Sequence, residues 1–155
     1  MSEAPLLRVD DLAMYFPVTA GVFGRAVAQV KAVDGVSFDL QPGEVLGLVG
    51  ESGSGKSVSS LAVMGLVPSP PGVVTADAIL LGDRDLNRFD AEALRRVRGK
   101  EVAMIFQDPM TSLNPLLTVE RQLTEVLEVH EGLSHAEAAK RPVPVLGDVG
   151  IPAPE

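Results

Sequence analysis

The segment Gly50-Glu51-Ser52-Gly53-Ser54-Gly55-Lys56-Ser57 holds the residues whose types and spacing can do chemistry. It fits G-x-x-x-x-G-K-[ST] at every fixed position, the pattern of a loop that wraps a phosphate group. Glycine at 50, 53 and 55 opens backbone angles closed to other residues, so successive N–H groups can turn inward around an anion. A helix starting at the end of the loop adds its positive dipole end and its unpaired N–H groups. Lys56 supplies a cation for the β- and γ-phosphates. The Ser57 hydroxyl is a hard oxygen donor of the kind Mg²⁺ prefers. The competing reading is a plain Gly/Ser-rich turn, and the lysine, the hydroxyl and both flanks together argue against it.

The flanks must position that loop. Val45-Leu46-Gly47-Leu48-Val49 is an uninterrupted apolar run and reads as a buried strand leading in. Ser57 to Met64 reads as a short helix leading out. Upstream, Leu6 to Phe16 reads as a strand, Pro17 to Val30 as a loop holding Gly21 and Gly24, and Lys31 to Leu40 as a second strand bent at Gly35. Gln41-Pro42-Gly43 reads as a turn. Downstream, the prolines of 68–72 break the chain. Val73 to Leu81 reads as a strand, Gly82-Asp83 as a turn, and Asp90 as the N-cap of a helix to about Arg98. Glu101 to Phe106 reads as another strand and Gln107 to Pro115 as a loop. Helical patterns run from Val119 to His130 and from about Ser134, where Ser134 and Glu137 have capping-box spacing. Pro142 and Pro144 are expected to interrupt the second of these helices.

Composition bounds the rest. At 155 residues the chain is about one domain's worth, and 46% hydrophobic residues exclude bulk disorder. A net charge of −8 argues against a nucleic-acid surface. Arg95, Arg96, Arg98 and Lys100 cluster without interleaved aromatics and read as a solvated helix face. The absence of cysteine excludes disulfides and thiolate metal sites. Met14, Met64, Met104 and Met110 read as packing residues, and His130 and His135 as surface residues. No apolar segment approaches the ~20 residues that span a bilayer, so membrane association would go through a partner.

Two longer stretches, KAVDGVSFDLQPGEVLGLVGESGSGKSVSSLAVMGL and EVAMIFQDPMTSLNPLLTVERQ, give the chain a family resemblance from about Leu6 to about Glu131. It resembles the nucleotide-binding subunit of ATP-binding-cassette transporters, and most of all the branch serving dipeptide, oligopeptide and nickel importers. The resemblance implies an α/β, P-loop nucleotide-binding fold of the cassette-ATPase type. That fold has an antiparallel β-subdomain and P-loop core part over 1–107 and the start of a helical subdomain over 108–155, incomplete at the C-terminus. It implies ATP and Mg²⁺ as ligands, with Gly50, Glu51, Ser52, Gly53, Ser54, Gly55, Lys56 and Ser57 as the phosphate loop. Phe16 matches the family's adenine-stacking aromatic. Tyr15 is the alternative, and either ring could instead be core. Gln107 matches the glutamine that reaches Mg²⁺ and the attacking water; on residues alone it is a polar residue after a buried strand. Implied partners are membrane-spanning permease subunits and a second nucleotide-binding subunit, with no nucleic acid. The implied place is the cytoplasmic face of the membrane.

The departures are equally definite. The family's Leu-Ser-Gly-Gly-Gln-type signature and its Asp-Glu acidic motif are both lacking, since neither Gly-Gly nor Asp-Glu occurs in the 155 residues. His130 and His135 precede the region where the γ-phosphate histidine would fall. The expectation is therefore the front half of a transport ATPase, inactive by itself. A nucleotide-binding module without hydrolysis and a truncated product without function are the other readings. A GTPase is disfavoured by the absence of an Asn-Lys-x-Asp-like motif. In the family, the strands before the loop and before Gln107 are not neighbours, so both are expected to have unpaired edges here.

Overall fold

The computed structural model describes residues 4–20, 25–107 and 113–152. The chain forms two compact units, Met1–Arg95 and Arg96–Glu155.

The first unit is built on an antiparallel sheet. A long hairpin of β1 (Leu7–Ala20) and β2 (Arg25–Leu40) carries it. The other edge of β1 pairs with β4 (Ala78–Leu81) near its start and with β3 (Val73–Thr75) further along, and β5 (Arg84–Asp85) closes on β4. Expectation and structure differ at 17–30: the strands run on as a ladder with Pro17 opposite Gln29 and Val18 opposite Ala28. Pro17 and Gly21 suggested a loop, but the β-branched residues Val18, Thr19, Val27 and Val30 favour a pleated surface. Gly21 and Gly24, expected in that loop, lie outside the described residues.

Bulges set which residues reach the core. Val9 and Leu12 are both fully buried although three apart, an odd step that would point them to opposite faces. The register slips between them, with Asp11 at φ 49°, and the extra residue restores the phase. Gly35 sits across the ladder at φ +73°, with Asp11 Oδ1 3.1 Å from the position a Cβ would take. Met14 and Val33, paired across the hairpin, continue the buried face.

Helix α1 (Lys56–Val63) packs on β1 and β2 and buries Ser59, Ala62 and Val63, which the i, i+3, i+4 spacing puts on one face. The Ser59 hydroxyl, buried with them, donates to Gly55 O at 3.0 Å. A short 3₁₀ turn (Leu86–Arg88), capped by Asp85 accepting from Asn87 N, leads to α2 (Ala91–Val97). Asp90 Oδ1 accepts from Ala93 N at 2.8 Å, the N-cap expected of it.

Two expected strands are absent. Residues 44–50 and 103–106 carry no secondary structure, and Val45, Val49 and Ile105 are each more than 90% exposed. The physical reason is the same for both. A strand apolar on both faces belongs inside a sheet, between neighbours. Among the described residues 45–49 pairs with nothing, and 101–106 contributes only a single bridge, Val102 to Arg98.

The second unit is helical, with α3 (Val119–Glu131), α4 (His135–Ala138) and α5 (Pro142–Asp148). Thr118 caps α3, its Oγ1 accepting from Arg121 N, and Gly132 ends it at φ +67°. Ser134 and Glu137 form the expected capping box. The helix begun at Ser134 is interrupted after Ala138, ahead of Pro142 as expected, but Pro142 and Pro144 open a further helix, α5. Both prolines fall in its first turn, where a missing N–H breaks no helical bond. Thr124 and Ala138 are fully buried. Gln122, which no sequence motif singles out, braces the turn before α3: its Oε1 accepts from Asn114 N, and its Nε2 donates to Asn114 O and Leu117 O. His130 is half-buried, with Nε2 3.0 Å from where a Cβ on Gly99 would be, and His135 is exposed. Met14 and Met64 pack in the first unit's core, Met104 is half-buried, and Met110 lies outside the described residues.

Candidate functional site

The loop 50–57 closes around the Lys56 ammonium. Nζ donates to Gly50 O at 2.8 Å and to Glu51 O at 2.6 Å, and stands 3.2 Å from Ser54 Oγ. The loop is tied again by Ser54 N donating to Glu51 O at 3.2 Å. Its glycines are not alike. Gly53 and Gly55 have φ of +81° and +95°, the left-handed region that side chains resist. Gly50 does not; a Cβ there would stand 2.6 Å from Ser54 Oγ, a hydroxyl that can rotate away, so neither backbone angle nor backbone contact demands glycine at 50.

The first bond of the α1 ladder runs from Ser59 N to Gly55 O at 2.8 Å. The amides of Lys56, Ser57 and Val58 therefore precede the ladder and have no partner within the helix. A concavity of about 170 Å³ lies at this end, lined by Ala32, Gly53, Gly55, Lys56, Ser57 and Val58. Three helix-end amides, an ammonium and glycine-cleared backbone are the donor set of an anion site, and its size suits phosphate rather than a larger apolar group. The exposed Ser57 hydroxyl is the hard oxygen at the same end. Among the described residues no group of three or more His, Asp or Glu forms a metal cage. A bound Mg²⁺ would therefore take Ser57, phosphate oxygens and water, the usual habit of that ion.

The sheet sorts the two candidate rings. Met14 pairs with Val33, and Val33 Cγ2 stands 3.5 Å from the Cβ position of Gly55, so this is the face toward the loop. Strand alternation places Phe16 on the same face as Met14 and Tyr15 on the other. Tyr15 is engaged there: its hydroxyl donates to Asp34, and Lys31 Nζ lies 5.4 Å over its ring while donating to Asp34 at 3.0 Å. These bonds, the tyrosine's first, hold the Asp34 carboxyl below the usual carboxylate range; the same bond raises Tyr15, and Asp34 raises Lys31. Phe16 is half-buried and does not itself line the 170 Å³ concavity; its ring edge lies against Gly72. Gln107 belongs to the second unit, exposed, at the end of the stretch 103–107. The structure therefore brings Gly50 to Ser57 together as one site and puts Phe16 on its side of the sheet.

A family model described as ABC transporter matches residues 33–151. The chain belongs to the ABC transporter family. It is 51% identical over 150 residues to the oligopeptide transport ATP-binding protein OppD of Bacillus subtilis (strain 168), an alignment covering 97% of this chain and 40% of that protein. It is 48% identical over 149 residues to the dipeptide transport ATP-binding protein DppD of Escherichia coli (strain K12), covering 96% of this chain and 43% of that one. The peptidoglycan transport ATP-binding protein YejF of Agrobacterium fabrum is 48% identical over 151 residues, 97% of this chain and 26% of its own length. The chain thus spans about two-fifths of the length of the first two relatives. An ABC transporter fold is what the antiparallel sheet, the loop and the helices represent, and membership of the family implies nucleotide binding. No helix among the described residues is long and apolar enough to cross a membrane.

Proposed function

We propose that this chain is the nucleotide-holding front part of the ATP-binding subunit of a membrane importer for peptides or a related solute. The loop 50–57 binds the phosphates of ATP through its amides and Lys56. Ser57 would hold Mg²⁺ and Phe16 would support the adenine ring; for Gln107 the family resemblance alone suggests a role at the metal. The partners are permease subunits and a second nucleotide-binding subunit, and the place of action is the cytoplasmic face of the membrane. The observation that carries this reading is the Lys56-centred loop at the start of α1, in a chain about half identical to transport ATP-binding proteins. Importers couple ATP hydrolysis to uptake; the Mg²⁺ supplies charge neutralisation at the transferred phosphate, while this chain's residues bind and orient.

A second reading, nucleotide binding without hydrolysis by this chain alone, is favoured by one feature: neither Gly-Gly nor Asp-Glu occurs in its 155 residues. Titration calorimetry with Mg·ATP on the parent chain and Lys56→Ala tests the site common to both. Parent binding that disappears in the variant is the expected result. Equal binding by the two would exclude the loop as the site.

A further inference from the structure

We infer that Gly72 is a positioning residue for the Phe16 ring, which it lets lie across the neighbouring strand at the base end of the nucleotide site; this rests on the role proposed for Phe16 above. β3 runs antiparallel to β1 with Ala13 opposite Thr75, Met14 opposite Val74 and Tyr15 opposite Val73. One further step of that register brings Phe16 opposite Gly72. A Cβ on Gly72 would stand 3.2 Å from Phe16 Cε1, 2.9 Å from Val67 Cγ1 and 2.9 Å from Pro68 O. The glycine is not there for its backbone, because its φ lies outside the left-handed region. It is there for space.

An aromatic ring laid over a cross-strand glycine replaces the contacts the glycine cannot make. Here the arrangement works in both directions. The ring covers the strand, and the strand fixes one edge of the ring. The turn behind Gly72 is itself closed, with Gly72 N donating to Pro68 O at 3.0 Å, and that same carbonyl blocks any side chain at 72. Phe16 is only half-buried, so the ring keeps accessible surface. A stacking platform works only in one plane, and a side chain at 72 would push the ring edge or the turn out of place.

The test separates the base end from the phosphate end. Calorimetry measures ATP and inorganic tripolyphosphate binding to the parent chain, Phe16→Ala, Gly72→Ala and the double variant. Tripolyphosphate reads only the loop. Phe16→Ala and Gly72→Ala should each weaken ATP by roughly tenfold, within the range of base–aromatic stacking, and leave tripolyphosphate unchanged. The double variant should lose no more than Phe16→Ala alone, since with the ring gone Gly72 has nothing to position. The inference is overturned if Gly72→Ala binds ATP like the parent while Phe16→Ala is weaker, if it weakens both ligands equally, or if the two losses add. If Gly72→Ala does not fold, Val67→Ala loosens the same turn without adding an atom; it must then show a loss confined to ATP, and an unchanged ATP affinity overturns the inference. A parent that binds neither ligand overturns the nucleotide site itself, and a parent that binds both with no effect of Phe16→Ala overturns the role of that ring.

Discussion

The carbonyl oxygen of Ala32 lies closer than 3 Å to where a Cβ on Gly55 would stand. Ala32 is the extra residue of a bulge, between the pairs Met14–Val33 and Tyr15–Lys31. The hairpin thereby presses backbone against the N-cap of α1, and the phosphate loop is seated on the sheet rather than floating above it. Gly55→Ala should suffer twice, from a φ of +95° and from the carbonyl it meets. Backbone strain of this kind costs roughly 1–3 kcal/mol. Urea unfolding followed by circular dichroism should show the first unit destabilised by at least that much. A variant as stable as the parent would show that the loop does not rest on Ala32.

Lys56→Ala should separate binding from folding. Nζ bonds only to the loop's own carbonyls and to Ser54, all exposed, so its removal should change unfolding free energy by no more than about 1 kcal/mol. Anion affinity should vanish with the one ammonium among the residues lining the concavity. A large drop in thermal stability without loss of binding would make the lysine a structural clamp instead.

Asp34 gives the hairpin a pH window. Its folded carboxyl is held down by the Tyr15 hydroxyl and Lys31. The stabilisation is therefore complete above its unfolded pKa, about 3.9, and is lost as pH falls through the lowered folded value. Tyr15 and Lys31 are raised, so their share is complete below their unfolded values near 10 and is lost as pH rises through the raised ones. Asp34→Asn should thus destabilise most between these limits and least in acid, measured by thermal unfolding from pH 2 to 11. A difference from the parent that persists undiminished at pH 2 would assign the effect to something other than this charge.

The loop was legible because its chemistry is local. Gly50 to Ser57, Asp90, Thr118's helix and the Ser134–Glu137 box depend on neighbours within a few residues, and each stands where residue type and spacing put it. What could not be read depends on distant chain. Phe16 and Tyr15 are adjacent in sequence, and only the ladder with Val33 and Lys31 shows which ring shares a face with Gly55. Gly72 looks like part of a proline-rich break until β3 sets it opposite Phe16. The strands expected at 45–49 and 101–106 are absent, because an apolar run becomes a strand only with a neighbour to pair with, and among the described residues these two have none beyond the Arg98–Val102 bridge.

Those two stretches make a prediction about handling. Val45, Leu46, Leu48, Val49, Ile105 and Phe106 are all at least 45% exposed, without charge among them to block edge-to-edge pairing. The 155-residue chain should self-associate, increasingly with salt as its net charge of −8 is screened. Val45→Lys with Val49→Lys should raise the monomer fraction seen by light scattering after size exclusion, because a charge within an exposed apolar stretch guards against pairing. A parent that stays monomeric at high concentration and unfolds in one cooperative step would contradict this.

Catalysis is the sharpest test of what the chain contains. Hydrolysis of ATP needs a phosphate clamp, a metal and an oriented water acting together. Lys56 and the amides of Lys56, Ser57 and Val58 are suited to the clamp, and Ser57 to part of the metal shell. No Asp-Glu pair is present to orient water, and no Gly-Gly signature to lie across the γ-phosphate of a paired subunit. Contacts made equally to substrate and transition state do not speed the reaction. Purified 155-residue chain should therefore bind Mg·ATP weakly and release phosphate no faster than the Lys56→Ala control. A longer chain that adds the acidic motif and the signature should turn over on the order of 1–100 s⁻¹ once it can pair. Phosphate release from the 155-residue chain that disappears in Lys56→Ala would mean that one of its own carboxylates, Glu51 being the nearest in sequence, already orients the water.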